Sequence, residues 1–184
     1  MTILGISGSL RRDSYNTKLL RAAGELLSPE AELEIWQGLK EVPPYDEDDD
    51  VEPAPAAVAD LRDAIAGADA VLFATPEYNS SVPGVLKNAV DWASRPLASN
   101  QLRNKPVAVI GASTGAFGAV WAQAELRKVL AATGARVAEG DVAAGHAHTK
   151  FVDGELVDHE IGEQLREVVE TLVAAIRERE ALAA

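Results

Sequence analysis

Short apolar runs alternate with stretches whose apolar residues recur at helical spacing, and this alternation leaves the chain few ways to fold. Thr2-Ile3-Leu4-Gly5-Ile6-Ser7 has the length and composition of a buried strand. Asn16 to Leu27 then sets Leu19, Ala23, Leu26 and Leu27 on one helical face. Glu32-Leu33-Glu34-Ile35-Trp36 alternates polar with apolar, as a strand near a sheet edge does. Val58, Leu61 and Ile65 mark a second helix, and Ala70-Val71-Leu72-Phe73-Ala74 a third strand. Pro83 opens the next helix, where a missing N–H is tolerated. Val107 to Ile110 is a fourth strand, followed by a glycine-rich loop and a helix around Leu126, Val129 and Leu130. Arg136 to Val142 is expected as a fifth strand, and Ile161, Leu165, Val168, Leu172 and Ile176 stripe a long final helix. Strands separated by helices imply right-handed βαβ units and a parallel sheet covered on both faces. The expectation is α/β: one doubly wound domain over residues 1–184 with a five-stranded parallel sheet.

In such a sheet, ligands sit beyond the carboxyl ends of the strands, near the point where strand order reverses. The loops after Ser7, Ala74 and Ile110 are therefore the candidates. Composition narrows what they bind. With 17 Lys and Arg against 29 Asp and Glu, the net charge is −12, which argues against nucleic acid and anionic membrane as partners. The absence of cysteine excludes thiolate metal sites, iron–sulfur clusters, disulfides and a cysteine nucleophile. The start, MTILGISGSL, lacks the features of a secretory signal. Pro106 to Ala124 is uncharged but interrupted by Gly111, Gly115 and Gly118, unlike a membrane span. A soluble, cytoplasmic protein is expected.

The loop from Ser7 to Asn16 reads SGSLRRDSYN. Gly8 permits a tight turn, and Ser9, Ser14, Asn16 and Thr17 bring short hydrogen-bonding groups to a helix start. Free N–H groups and the helix dipole make such an end a natural phosphate site. Arg11 or Arg12 adds a charge-assisted contact. The loop matches neither a Walker sequence nor GxGxxG, and taken alone it reads equally as a plain capped turn. From Thr75 to Trp92 the sequence is TPEYNSSVPGVLKNAVDW. Pro76, Asn79, Pro83 and Gly84 set an irregular backbone, Tyr78 offers an aromatic surface, and Glu77 and Asn79 offer polar edges.

Together these two patterns resemble the NADPH-dependent FMN reductase family, which includes quinone, chromate and azo-dye reductases of flavodoxin-like fold. The resemblance covers nearly the whole chain, through GSLRxxSxN, VPPYDEDD, TPEYNxSVPGxLKNAxDW and a Ser/Thr/Gly-rich loop. It implies the flavodoxin-like strand order 2-1-3-4-5, bound FMN, and NADPH or NADH as reductant. The implied partner is a small acceptor: a quinone, chromate, or an azo or nitro compound. Carried over by matching position, Ser9, Arg11, Ser14 and Asn16 would hold the FMN phosphate, with Thr17 alongside. Pro76, Glu77, Tyr78 and Asn79 would line the isoalloxazine and ribityl chain. Ser113, Thr114 and Gly115 would approach the ring from the fourth-strand loop. Lys87, Asp91 and Trp92 fall in the helix the family uses for dimerisation, so a homodimer or homotetramer is implied. The chain departs from the family pattern at Ala119 and Trp121, where glycine and arginine are common, and at Ser80, where an aromatic is common. In such an enzyme the cofactor carries the hydride chemistry, so no catalytic side chain is expected and ping-pong kinetics are. Backbone N–H groups of the Pro76–Asn79 and Ser113–Gly118 loops would stabilise negative charge on the reduced flavin. No pattern ties an arginine to a 2′-phosphate, so NADPH and NADH are not distinguished.

Two other classes remain open on the residues alone. Gly111-Ala112-Ser113-Thr114-Gly115 matches G-x-S-x-G, with Asp141 and His146, His148 or His159 following in hydrolase order. Against a nucleophile elbow, Ala116, Phe117 and Gly118 prolong the loop before any helix begins. An electron carrier of the flavodoxin type would suit an acidic surface, but Arg11 points to the reductases. His146 and His148 lack a matched third ligand, and Asp46, Asp48 and Asp50 lack the glycine and closing glutamate of a calcium loop, so no metal is expected. Trp36, Trp92 and Trp121 are expected in the core or in subunit contacts. The acidity is concentrated: Glu41 to Glu52 holds seven acids and no base. It reads as a solvated loop, with the resemblance placing Pro44-Tyr45-Asp46 near a subunit contact and the acceptor entrance.

Overall fold

Strands without a polar face need cover on both sides. Three strands here, β1 (Thr2–Ser7), β3 (Ala70–Thr75) and β4 (Pro106–Ala112), are buried over nearly their whole length. In the computed structural model, which describes residues 1–183, they form the middle of a parallel sheet. The more exposed β2 (Glu32–Trp36) lies at one edge and β5 (Arg136–Val137) at the other, in the order β2-β1-β3-β4-β5. This is the expected flavodoxin-like α/β fold. Alternate side chains of each central strand enter opposite layers. Leu72 and Ile110 pack with α1 (Tyr15–Glu25) and α5 (His159–Ala183). Phe73 and Val109 pack with α2 (Ala56–Gly67), α3 (Gly84–Ala93) and α4 (Val120–Ala132). No described helix is long and apolar enough to cross a membrane.

The expected fifth strand, Arg136 to Val142, is interrupted. Pairing with β4 stops after Val137 and resumes at β6 (Ala143–Ala144). Between them the chain turns through Gly140 at φ +120. Arg127 of α4 bridges the gap by donating to the Val109 carbonyl at 2.8 Å and the Gly140 carbonyl at 2.7 Å, and it pairs with Asp141 at 3.1 Å. A small hairpin, β7 (Phe151–Val152) with β8 (Glu155–Leu156), was not among the expected elements. Its turn is Asp153-Gly154, both at positive φ, as a two-residue type I′ connection requires.

The acidic segment after β2 exposes most of its acidic side chains, Asp50 excepted, on a tethered backbone. Asn88 of α3 donates to the Pro43 carbonyl at 2.8 Å and accepts the Tyr45 N–H at 2.7 Å. The Trp92 indole donates to the same Pro43 carbonyl at 2.8 Å, and the Tyr45 ring meets it edge-on with centroids 4.8 Å apart. Asp50 pairs with Arg62 at 2.8 Å, and Asp46 accepts the Asp48 N–H at 3.0 Å. Trp92, assigned by resemblance to a subunit contact, is fully buried within its own chain. Trp36 is half-buried, and Trp121 is exposed with its ring against Phe117.

Lys105 is buried, and its ammonium donates to the Ala66 and Ala68 carbonyls at the end of α2. Burial pushes its pKa from the ordinary 10.5 down to about 8, with repulsion from Arg179 adding to the shift. Between these two values the unfolded chain binds more protons, so this residue makes stability rise with pH across that interval. Urea unfolding should show wild type gaining on Lys105→Met as pH climbs from 8 to 10.5. A constant difference between the two would contradict the buried, shifted lysine.

Candidate functional site

Three loops leave the carboxyl ends of β1, β3 and β4 on the same side of the sheet, and each is held by its own short-range chemistry. After Ser7 the chain passes so close to α3 that a Cβ on Gly8 would lie 2.7 Å from the Leu86 side chain. The Gly8 N–H donates to the Ala74 carbonyl at 2.8 Å. Ser14 caps α1, its hydroxyl accepting the Asn16 and Thr17 N–H groups at 3.2 and 3.4 Å. No acidic residue occupies the first turn of this helix, so the positive end of its dipole is uncompensated there. Arg11 is exposed, donates to the Asp13 carbonyl, and stands 5.2 Å from the Tyr15 ring centroid. Lys18 pairs with Asp13 at 2.6 Å, and its hydrogen bond holds that carboxyl below its ordinary range.

Asn16 is buried, and its amide is directed at the backbone of Ala112. Its Oδ1 accepts the Ala112 N–H at 2.9 Å and its Nδ2 donates to the Ala112 carbonyl at 3.0 Å. It therefore ties the start of α1 to the end of β4. Thr17 donates to the Ser7 hydroxyl at 3.0 Å, behind the loop.

The loop after β3 is fastened to α4. That helix is entered through its N-cap residue Ala119, in the left-handed region at φ 64, with no side-chain cap of its own. Glu77 supplies one from across the cleft: its carboxylate accepts the Trp121 and Ala122 N–H groups, both at 3.0 Å. In return, Glu125 accepts from the Ser81 hydroxyl and the Val82 N–H. Chiefly through the Ser81 hydrogen bond, its carboxyl stays below the ordinary carboxylate value. This second contact is present at neutral pH and is lost only as pH falls through that lowered value. Between them Tyr78 and Ser81 close a two-residue turn with Asn79 and Ser80 at φ 53 and 59.

The loop after β4 is locked to β6. Ser113 N–H donates to the Ala144 carbonyl and its own carbonyl accepts the Ala147 N–H, both at 3.0 Å. A side chain on Gly118 would collide with Ala143, and one on Gly145 with the Ala116 carbonyl.

These loops enclose a cleft of about 240 Å³. Nine of the expected residues line it: Ser9, Arg11, Ser14, Asn16, Pro76, Glu77, Tyr78, Ser113 and Thr114. Thr17 faces a neighbouring groove, Asn79 sits exposed at the turn, and the Gly115 carbonyl accepts the His146 N–H at 2.8 Å. Two lining residues were not anticipated, Tyr15 and Ala112. Tyr15 lies between the cap and Asn16, so its place in the motif was the available signal. The arrangement does not assemble a hydrolase. Ser113 Oγ accepts the Gly115 N–H at 3.1 Å, and no histidine bonds to it among the described residues. Asp141 pairs with Arg127, and α4 starts only at Val120, well after Ser113.

Comparison with known proteins agrees with this geometry. The model of the NADPH-dependent FMN reductase family matches residues 1–149. An NAD(P)H-dependent FMN reductase of Pseudomonas aeruginosa is 49% identical over 70% of this chain and 68% of its own length. A quinone reductase of Escherichia coli is 36% identical over 86% of each. Among solved structures, a flavoenzyme NAD(P)H:acceptor oxidoreductase from Paracoccus denitrificans superposes with a TM-score of 0.85 at 37% identity. That superposition covers 96% of this chain and 97% of the other. A flavodoxin from Pseudomonas aeruginosa shares the fold, with a TM-score of 0.61 at 16% identity over 94% of this chain and 98% of that one.

The Glu77 contact gives a direct test. Glu77→Ala should lower stability by about 1–2 kcal/mol, as loss of a helix cap does. It should also speed amide exchange at Trp121 and Ala122 more than in the rest of α4. Uniform protection along the helix in the variant would show that the carboxylate does not cap it.

Proposed function

Since the chain belongs to the NADPH-dependent FMN reductase family, we propose that it is an NAD(P)H-dependent oxidoreductase that holds FMN in this cleft and reduces quinones or similar small acceptors. The observation that carries the reading is the convergence of three separated sequence segments on one cleft at the carboxyl ends of the central strands. The residues suit FMN. At one end, Ser9, Ser14, Arg11 and the uncompensated start of α1 offer hydroxyls, a guanidinium and a helix dipole for a phosphate dianion. At the other, the Pro76 and Tyr78 rings and the short side chains of Ser113 and Thr114 line a space offered to a flat polar ring.

Bound FMN supplies the reversible two-electron chemistry that no side chain of this cysteine-free chain provides. The protein's part is to bind, orient and donate hydrogen bonds. The N–H groups of Tyr78, Ser113 and Gly115 are engaged within the protein, while those of Glu77, Asn79 and Thr114 have no protein partner among the described residues. These three are the donors proposed to meet negative charge on the ring. The Glu77 and Glu125 contacts keep the loop that carries two of them in place. Reductant and acceptor are proposed to use this cleft in turn, which predicts parallel double-reciprocal lines. Homo-oligomer formation and a cytoplasmic location form part of the same reading.

The purified protein should show flavin absorption and oxidise NAD(P)H steadily with a quinone. Colourless protein that fails to bind added FMN would overturn the proposal, and flavin without turnover would favour an electron carrier. Arg11→Ala should weaken FMN binding about tenfold or more, the loss of a charge-assisted hydrogen bond worth about 1.5–3 kcal/mol. Flavin fluorescence titration reads this, and unchanged affinity would remove Arg11 from the site.

A further inference from the structure

Gln123, in the first turns of α4, is polar yet buried. Its Nε2 donates to the Gly118 and Val142 carbonyls, both at 3.0 Å. Its Oε1 faces Arg127, one turn further along the helix, and accepts from that guanidinium at 3.5 Å. Two carbonyls at one end and a cation at the other fix which way the amide points. The amide lies against the backbone of β4, where a Cβ on Gly111 would stand 2.7 Å from Nε2. The first glycine of GASTG is therefore required by this packing, with no nucleophile involved.

What the amide holds is the far end of the loop after β4. Toward β4 the loop is secured by backbone, through Ser113 to Ala144 and Ala147 and through Gly115 to His146. Toward α4, the Gly118 carbonyl takes its hydrogen bond from Gln123 alone among the described residues. Gly118 and Ala119 follow one another at φ 57 and 64. An alanine keeps that conformation only where its surroundings impose it. The start of α4 thus anchors two walls of the cleft: Glu77 reaches it from the loop after β3, and Gln123 reaches back from it to the loop after β4.

We propose that Gln123 is a positioning residue for flavin reduction: by fixing Gly118 it keeps the Thr114 N–H aimed at the ring, and so favours the reduced cofactor over the oxidised one. The proposal rests on the reading of the cleft as the FMN site. Two electrons and one proton added to the ring leave it with one negative charge. A hydrogen bond to a charged acceptor is about twice as strong as one to a neutral acceptor, and a donor fixed beforehand has no reorganisation to undergo. A loosened loop therefore loses the reduced form first.

The test compares wild type and Gln123→Met, each loaded with FMN, by fluorescence titration and by the flavin midpoint potential. Methionine keeps the volume and removes both donors. Affinity for oxidised FMN should stay within about threefold of wild type, while affinity for reduced FMN should fall at least tenfold. The potential should then be more negative by about 30 mV or more, the two-electron equivalent of that factor. Equal losses in both states, or an unchanged potential, would overturn the proposal and leave Gln123 a packing residue. Should the methionine variant fail to fold, Gln123→Asn is read by the same criterion, since its amide is one methylene too short to reach both carbonyls. Wild type that binds no FMN defeats the reading of the cleft, whereas variants that bind FMN at the wild-type potential defeat only the role of Gln123.

Discussion

An asparagine amide and one backbone residue can pair reciprocally, donor to acceptor and acceptor to donor, and where the pair is buried the geometry is hard to replace. Asn16 and Ala112 make such a pair, at 2.9 and 3.0 Å across 96 residues of sequence. The pair joins the first helix to the end of the fourth strand, so the loop after β1 and the Ser113–Gly115 loop are set relative to each other before any ligand arrives. A polar residue at the edge of a cleft invites reading as a ligand contact. Here the same side chain lines the cleft and ties two of its walls together.

Glu77 and Glu125 extend this logic to the third wall. A helix that starts from a left-handed alanine without its own cap leaves its first N–H groups to be satisfied from elsewhere. A carboxylate from the loop after β3 meets that need. The opposite contact, from Glu125 back to Ser81 and Val82, closes a reciprocal link between loop and helix. Position 77 thus serves helix and cleft together, which the bare motif TPEYN does not reveal.

Much of the architecture was legible because it follows from local periodicity. Uniformly apolar strands such as Ala70–Thr75 admit only a sheet covered on both faces, and the loops to search follow from chain direction. What was not legible depended on distant groups. The break between Val137 and Ala143 is spanned by Arg127, a residue that in sequence is only one more charge on an amphipathic helix. The direction of the Asn16 and Glu77 side chains likewise depends on backbone tens of residues away. The β7–β8 hairpin is a different kind of miss, since Asp153-Gly154 is a strong local turn signal between very short strands. The acidic segment shows a further limit. Composition described its charge, but its tether comes from Asn88 and Trp92 of a helix reached only through the fold.

That tether has a mechanical consequence. Pro43 receives two donors from α3, and Tyr45 is pressed against the indole of the same helix, so the acidic stretch is held close to the surface at its near end. At its far end Asp50 is clamped by Arg62 of α2. A strip of like charge anchored at both ends resists collapse as salt rises, because its shape is set by packing and hydrogen bonds rather than by mutual repulsion. Its field therefore fades with ionic strength while its outline does not. The protein carries a stationary negative ridge rather than a loose, charge-inflated tail.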